Sequence, residues 1–333
     1  MKSNRQNNVR RGIIGAAALS AALSLFGGSQ AALAETYPAK PVRVIVPYSP
    51  GGAMDSFGRL FSDAMSQQLN VSFFIENKPG AGGNIGFAML KEAAPDGYTI
   101  AVVPDAIAVN PYLYKELPYD FHQDFTSIGM GVATPLALFA HPSTGLRNLE
   151  DLLACAKKNP GKLSYGSPGV GTLHHFAMEA LTRQAGIELQ HVPYKGSAGS
   201  IADAAGGHLP LVVAATSPAL RDYVETNRLV ALAALGPEPS ADFPEVAPVN
   251  RDLPGYSFMP LGGFMAPHGT PPDIIDKLTQ ALERATEDAA VQTKLATAGM
   301  LPLYLNPQQM DEYLNDLGKQ AGDIAAAANI QPE

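Results

Sequence analysis

Short apolar runs alternate with helical patterns along most of this chain. VRVIVP at 42–47 is a continuous apolar run closed by a proline. Behind it, Phe57, Leu60, Phe61, Met65 and Leu69 recur at helical spacing, which predicts a helix over 53–69. VSFFIE at 71–76 reads as the next strand and NKPGAGGN at 77–84 as a glycine-rich turn. A short helix over 85–93 stops at APDG, and YTIAVV at 98–103 is a third strand. Strands and helices in this order predict a parallel α/β sheet.

The same grammar returns further on. TSIGMGVA and PLALFAHP are strand candidates, and LEDLLACAKKNPG is a helix that ends at Pro160-Gly161. LSYGS is a short strand, and PGVGT is a tight loop before the helix HHFAMEALTRQAG. ELQHVPY, LPLVVAA and RLVALAAL are strands separated by the helix GSAGSIADAAGG and by a helix of about two turns. The tail holds helices over 271–286 and 288–298, a short strand LPLYL, and a last helix over 307–326. One internal echo stands out. VPYSPGG at 46–52 resembles VPYKGSAG at 192–199, each following an apolar strand and preceding a helical pattern. Two facing sheets would aim both loops into one cleft; shared strand-to-helix turn chemistry would also produce the likeness.

Composition changes the picture at the N-terminus. Residues 1–34 carry Arg5, Arg10 and Arg11, an apolar stretch IIGAAALSAALSLFGG, and Ala32-Leu33-Ala34 before Glu35, the layout of a cleaved export signal. Its removal takes four basic residues and no acid, leaving 19 Lys plus Arg against 31 Asp plus Glu, a formal charge of −12 over 299 residues. That length suffices for two cores. The acidity argues against a nucleic-acid surface, but a local nest of N–H groups can still hold an anion. Cys155 is the single cysteine, so no internal disulfide forms, and its helical setting reads as a small buried residue. The histidines are scattered except for His174-His175, whose adjacency on a helix is poor metal geometry; no metal site and no cofactor is expected.

The candidate chemistry lies in the loops. Tyr48, Ser49, Pro50, Gly51 and Gly52 follow a strand and open a helix, where backbone N–H groups and the helix N-terminus suit a carboxylate. Asp55, with Arg59 four residues on, reads as the organiser of that loop. Neither GxGxxG nor GxxxxGK followed by Ser or Thr occurs, so nucleotide phosphate is disfavoured. The cluster at 80–84 would form the second side of one pocket. Ser167, in YGSPG and not in a GxSxG elbow, is either a donor at a strand end or, with His175 and Asp203, the centre of an exported hydrolase. Thr172 caps the next helix or binds. Tyr48 and Tyr194 offer ring faces or pack, and Lys195 supplies charge or points to solvent.

The stretches YPAKPVRVIVPYSPGGAMD, ENKPGAGGNIG, APDGYT, NPYLYKELPYD, NPGKLSYGS and HVPYKGS occur in order through the chain. In this it resembles the Bug family, the extracytoplasmic solute receptors of tripartite tricarboxylate transport systems. The resemblance implies a monomeric periplasmic protein that is not an enzyme. It implies an α/β fold with two Rossmann-like lobes around a central cleft, of the type II periplasmic-binding-protein kind. Lobe one would take 35–137 plus 258–333, and lobe two 138–257. The lobes would close on a small carboxylate and deliver it to an inner-membrane permease, or act as a sensor without transport. The implied ligand loops are Tyr48–Gly52 with Asp55, then Ala81, Gly82, Gly83 and Asn84. Asp105 and Ala106 join them on the same side, facing Ser167, Gly169 and Thr172, Tyr194, Lys195 and Gly196, and Ala214 and Thr216. Relatives often have a polar Ser-Gly-Asn-Gly-Ser-Ser run where this chain has Pro168–Leu173, and Asp-Asn where it has Ala214-Ala215. They also often have a tryptophan near the segment that here reads MPLGGFMAP; this chain has none. A buried ammonium needs a partner, so these changes disfavour an amino acid. They favour a di- or tricarboxylate, or an aromatic dicarboxylate such as terephthalate.

Overall fold

Two runs of strands, joined by short crossing segments, account for the arrangement of apolar runs along the chain. The computed structural model describes residues 37–194, 196–327 and 332; the expected export signal at 1–34 lies outside the described residues, as does Lys195. All the strands belong to the unit Lys40–Glu333. In chain order, β1 (Val42–Val46), β2 (Phe73–Asn77), β3 (Thr99–Pro104) and β4 (Phe125–Ala133) enter the first sheet. Then β5 (Leu136–Ala140), β6 (Ser164–Ser167), β7 (Gln190–Pro193), β8 (Leu211–Ala215) and β9 (Val230–Ala234) build the second. The chain returns to the first sheet for β10 (Leu261–Pro267) and β11 (Leu301–Leu305). The strand orders are β11-β4-β10-β3-β1-β2 and β7-β6-β8-β5-β9.

Around them lie α1 (Ala53–Leu69), α2 (Asn84–Lys91), α3 (Leu149–Lys158), α4 (Leu173–Ala185), α5 (Ser197–Ala205) and α6 (Pro218–Glu225), followed by α7 (Pro272–Glu287), α8 (Ala289–Thr297) and α9 (Pro307–Ala327). The helical spacing in α1 turns Phe57, Phe61 and Met65 inward, all fully buried. The Phe57 ring lies 5.1 Å from that of Phe264 in β10. Gly58 lets the helix settle on the sheet, because a Cβ there would come 2.8 Å from Val102 Cγ2.

The expectation of a parallel sheet is corrected. β1 pairs parallel with β2 and β3, and β6 with β7 and β8, but β10 runs antiparallel between β3 and β4, and β5 antiparallel between β8 and β9. The reason is the route of the chain. Each crossing delivers its strand at the C-terminal ends of the parallel strands: Leu136, the first residue of β5, registers with Ala215 at the end of β8, and Gly262 of β10 with Pro104 at the end of β3. A strand that starts there must run backwards.

β10 is also the strand that periodicity does not announce. Gly262-Gly263 and a terminal proline disfavour strand structure, yet here the glycines are required. A Cβ on Gly263 would strike the Gly129 carbonyl oxygen and lie 2.9 Å from Met130 Cα in β4. Both obstacles are backbone and cannot rotate away. Gly263→Ala is therefore expected to lower stability by about 2 kcal/mol or more, measured by urea unfolding. A midpoint equal to that of the native protein would show that β4 and β10 are not held this close.

Candidate functional site

The C-terminal ends of β1 and β2 lie side by side, with Val46 registered on Asn77, so the loops that follow are neighbours. Asn77 fastens them: its Nδ2 donates to the Tyr48 carbonyl (3.0 Å) and to Asp55 Oδ1 (2.8 Å), and its Oδ1 accepts from Arg59 (3.1 Å). The Tyr48 hydroxyl donates to the Gly82 carbonyl at 3.3 Å, joining the loop before α1 to the loop before α2. Burial raises the Tyr48 hydroxyl well above its ordinary range, so it stays protonated and a donor. Asp55 is buried, and its Oδ2 accepts from the Gly51 amide (2.9 Å) and from Arg59 Nε (3.0 Å). Burial pushes its carboxyl upward, but the hydrogen bonds from Arg59, Gly51 and Asn77 outweigh this and hold it below the usual carboxylate range. Asp55 is thus the organiser of the loop, and the Gly51 amide it binds is not free for an anion. Gly52 is exposed, and its φ of −79° makes no special demand for glycine. Ala53 and Met54 open the helix, where amides lack an i−4 acceptor.

The second loop is unusual backbone. Gly80, Ala81, Gly82 and Gly83 all have positive φ (135°, 47°, 65° and 100°), a run that three glycines make feasible and that curls successive amides into a nest. The Gly83 amide closes on the Gly80 carbonyl at 2.9 Å, a turn that leaves the Ala81 and Gly82 amides without an acceptor among the described residues. The side chain of Asn84, a residue expected at the ligand, is engaged inside the protein. Its Oδ1 accepts from Asn110 Nδ2 (2.9 Å) and the Tyr119 hydroxyl (2.7 Å), all three residues being buried. Asn84 anchors the loop from below. Asp105, also expected at the ligand, has one carboxyl oxygen engaged in the same way. It is 1 % exposed, and its Oδ2 accepts from the Leu261 amide (2.8 Å) and the Tyr313 hydroxyl (2.7 Å), tying the end of β3 to the start of β10 and to α9. Burial raises its pKa to about 7 against those hydrogen bonds. Ala106, beside it, is half-buried.

In the second sheet, β6 and β7 end together, Ser167 on Pro193. The Tyr194 amide donates to the Ser167 carbonyl and the Gly196 amide to the Pro168 carbonyl, both at 3.0 Å, so the two loops form one ledge. The echo between 46–52 and 192–199 is therefore a pair of strand-to-helix junctions, β1 to α1 and β7 to α5. Several hydroxyls on the ledge are used internally. Thr172 accepts from the His175 amide and donates to the Gly169 carbonyl (2.8 Å), and Tyr194 donates to Asp203 Oδ2 (2.7 Å). Ala214 packs in the second core. Thr216 is 2 % exposed, its Oγ1 has no hydrogen-bond partner among the described residues, and its amide donates to the Pro135 carbonyl of a crossing segment.

The hydrolase grouping of Ser167 with His175 and Asp203 is not assembled. Ser167 Oγ instead lies 2.7 Å from Nε2 of His191, a residue with no marked signal in the sequence beyond its place in HVPYKGS. The His191 ring stacks on His175 (3.9 Å between centroids) and on Tyr165 (5.0 Å). His175 Nδ1 accepts from the Gly171 amide (3.2 Å), and its Nε2 is 3.6 Å from Glu179, which also accepts from the Tyr165 hydroxyl. Asp203, bound to Tyr194, takes no part. Burial lowers His174 and His191 to about 4, and burial together with the neighbouring His191 lowers His175 to about 3.

A family model described as "Tripartite tricarboxylate transporter family receptor" matches residues 57–330. A Cupriavidus necator protein named "UPF0065 protein in gbd 5'region" is 36 % identical over 308 residues, 92 % of this chain and 93 % of the relative. Among solved structures, one described as a periplasmic transporter is 34 % identical with a TM-score of 0.72, over 89 % of this chain and 99 % of the other. R. palustris Rpa4515 with adipate is 27 % identical with a TM-score of 0.74, over 89 % of this chain and 100 % of the other.

The buried titratable groups set a pH dependence whose terms oppose one another. From about pH 4 to 6.5 the unfolded histidines bind protons that His174, His175 and His191 in the fold do not, so they make stability rise with pH and fall on acidification. Asp105 has the opposite sign: between about 3.8 and 7 the fold keeps its proton and the unfolded chain does not, so its contribution is lost as pH rises. Asp105→Asn should therefore steepen the rise in unfolding free energy between pH 5 and 6.5 by up to about one proton, and His175→Gln should flatten it. Urea titrations at three pH values read both slopes, and parallel curves for Asp105→Asn and the native protein would refute the assignment.

Proposed function

The chain belongs to the tripartite tricarboxylate transporter receptor family, and from that premise we propose that it captures a small dicarboxylate between two lobes in the periplasm and delivers it to an inner-membrane permease of that transport class. Receptors of this family bind solutes and are not enzymes, carboxylate binding is the function of this chain, and its fold is the two-lobed α/β arrangement of type II periplasmic binding proteins. The lobes in this reading follow the sheets. The stretches before the crossing at 134–135 and after 258–260 make lobe one, the stretch between makes lobe two, and the receptor works as a monomer.

The observation that carries the reading is the fastening of loops 47–52 and 80–83 to each other by Tyr48 and Asn77. It presents the Gly52, Ala81 and Gly82 amides, with the positive end of α1, as neutral donors for one carboxylate. The ledge at Gly169 and Gly196, with Ser167 buried beneath it, then receives the rest of the ligand as the lobes close, and ligand bound across both biases the open–closed equilibrium. The apolar run Pro168–Leu173 suits a carbon skeleton better than further polar groups. Rpa4515 was solved with adipate, a diacid of that description, and a diacid is the class assigned here.

Adipate is expected to raise the melting temperature by about 5 °C at a hundred times its Kd, with glutamate and aspartate giving no shift. Stabilisation by the amino acids and none by adipate, succinate or terephthalate would overturn the diacid class. Gly52→Val tests the site itself. A Cβ there meets only the Ser49 carbonyl at 3.6 Å, and the backbone is already extended, so the fold should keep its melting temperature. Calorimetry should show adipate affinity reduced at least about tenfold by crowding of the anion.

A further inference from the structure

Two residues outside every loop considered so far stand between the two ligand ledges. Leu113 and Tyr114 follow a short 3-10 turn, Asn110–Tyr112, in the connection from β3 to β4. A Cβ built on Gly171, in lobe two, would strike Leu113 Cδ2 and lie 2.6 Å from Cδ1 and 3.1 Å from Cγ. A Cβ on Gly82, in lobe one, would strike the Tyr114 hydroxyl and lie 3.1 Å from Cζ. The pair thus occupies the space beside Gly171 and Gly82 where a Cβ would stand, one on each side of the cleft.

The prong is rigid. The Leu113 and Tyr114 amides both donate to the Asn110 carbonyl, at 3.0 and 3.1 Å. The Asn110 side chain is buried and donates to Asn84 Oδ1, the anchor of the 80–83 nest. The prong and the carboxylate nest therefore move as one piece of lobe one. On the facing side Gly171 sits at φ +74°, with its amide held by His175 Nδ1. Contact between a fixed prong and a fixed notch limits how closely the lobes approach.

We infer that Leu113 is the interlobe stop that sets the depth of closure and so determines the length of diacid the cleft accepts. The contact stands on geometry alone, while its effect on ligand length rests on the diacid function proposed above. A smaller side chain at 113 lets lobe two travel further and favours a shorter diacid. A larger one holds the lobes apart.

Two measurements test this. In a Cys155→Ala background, Leu113→Cys with Gly171→Cys should lock on mild oxidation whether or not a diacid is present. Leu113 Cγ marks where the new sulfur would sit, 3.1 Å from the Gly171 Cβ position, close to the roughly 3 Å that disulfide bond lengths set between a Cβ and the far sulfur. Calorimetry with adipate and succinate then compares single variants. Leu113→Ala should shift the preference toward succinate by about fivefold, near 1 kcal/mol, and Leu113→Phe should shift it back toward adipate. A cysteine pair that stays reduced overturns the contact. A preference within about twofold of the native value in both variants overturns the stop. If the native protein binds neither diacid, the proposed function fails while the cross-link still decides the contact.

Discussion

Everything in this receptor depends on where the chain crosses between its sheets. Backbone that leaves a sheet must find new partners for its N–H and C=O groups, and here the crossing segments find them in each other and in the strand ends. The Thr134 amide donates to the Pro260 carbonyl at 2.8 Å, the Thr216 amide to Pro135 at 2.9 Å, and the Phe258 amide to Leu235 at 2.7 Å. These few bonds hold both crossings at the C-terminal ends of the parallel strands. That placement forces β5 and β10 to run backwards, and it turns the C-terminal loops of both sheets toward the same region. A cleft lined by strand-to-helix loops is the consequence of this routing. The approach is tight: a Cβ on Gly299 would come 2.7 Å from the Thr216 carbonyl oxygen.

The loops at that cleft are sorted by what their hydrogen bonds already do. Gly51, Gly83, Gly171 and Gly196 each spend their amide inside the protein. So do the hydroxyls of Thr172 and Tyr194 and the carboxylate of Asp55. This internal bonding fixes the shape of the nest and the ledge before a ligand arrives, which lowers the ordering cost of binding. In the proposed site, what remains to meet a carboxylate is a small set of exposed amides whose directions are preset.

Much of the fold was legible in the chain because its signals are local. Phe57, Phe61 and Met65 mark the buried face of α1, and the spacing of Asp55 and Arg59 correctly gives a loop organiser. β10 escaped because its two central glycines look like a turn, and their purpose, the close pass of β4, belongs to a pairing between residues far apart in sequence. Asn84 and Asp105 lie in stretches that read as ligand loops, but side-chain direction is a property of packing. One turns down to Asn110 and Tyr119, the other to Leu261 and Tyr313. His191 reaches Ser167 through the parallel register of β6 and β7, which no local pattern encodes. Leu113 meets Gly171 across the cleft, and only the closed path of the chain brings them together.

The electrostatics of the site follow from the same sorting. The chain carries a formal charge of −8, which repels an anion at long range. Arg59, in the first turns of α1, is bound to Asp55 and Asn77, so it shapes the loop and its charge is largely compensated by Asp55. In the proposed site the carboxylate meets amide dipoles and the end of α1, which act within the first turn and fade beyond it. Such a site gains little from distant attraction and a great deal from correct placement of the anion, since an imperfectly bonded carboxylate bears its desolvation cost uncompensated. In the proposed site, selectivity is therefore a matter of distances between preset amides and the walls that face them.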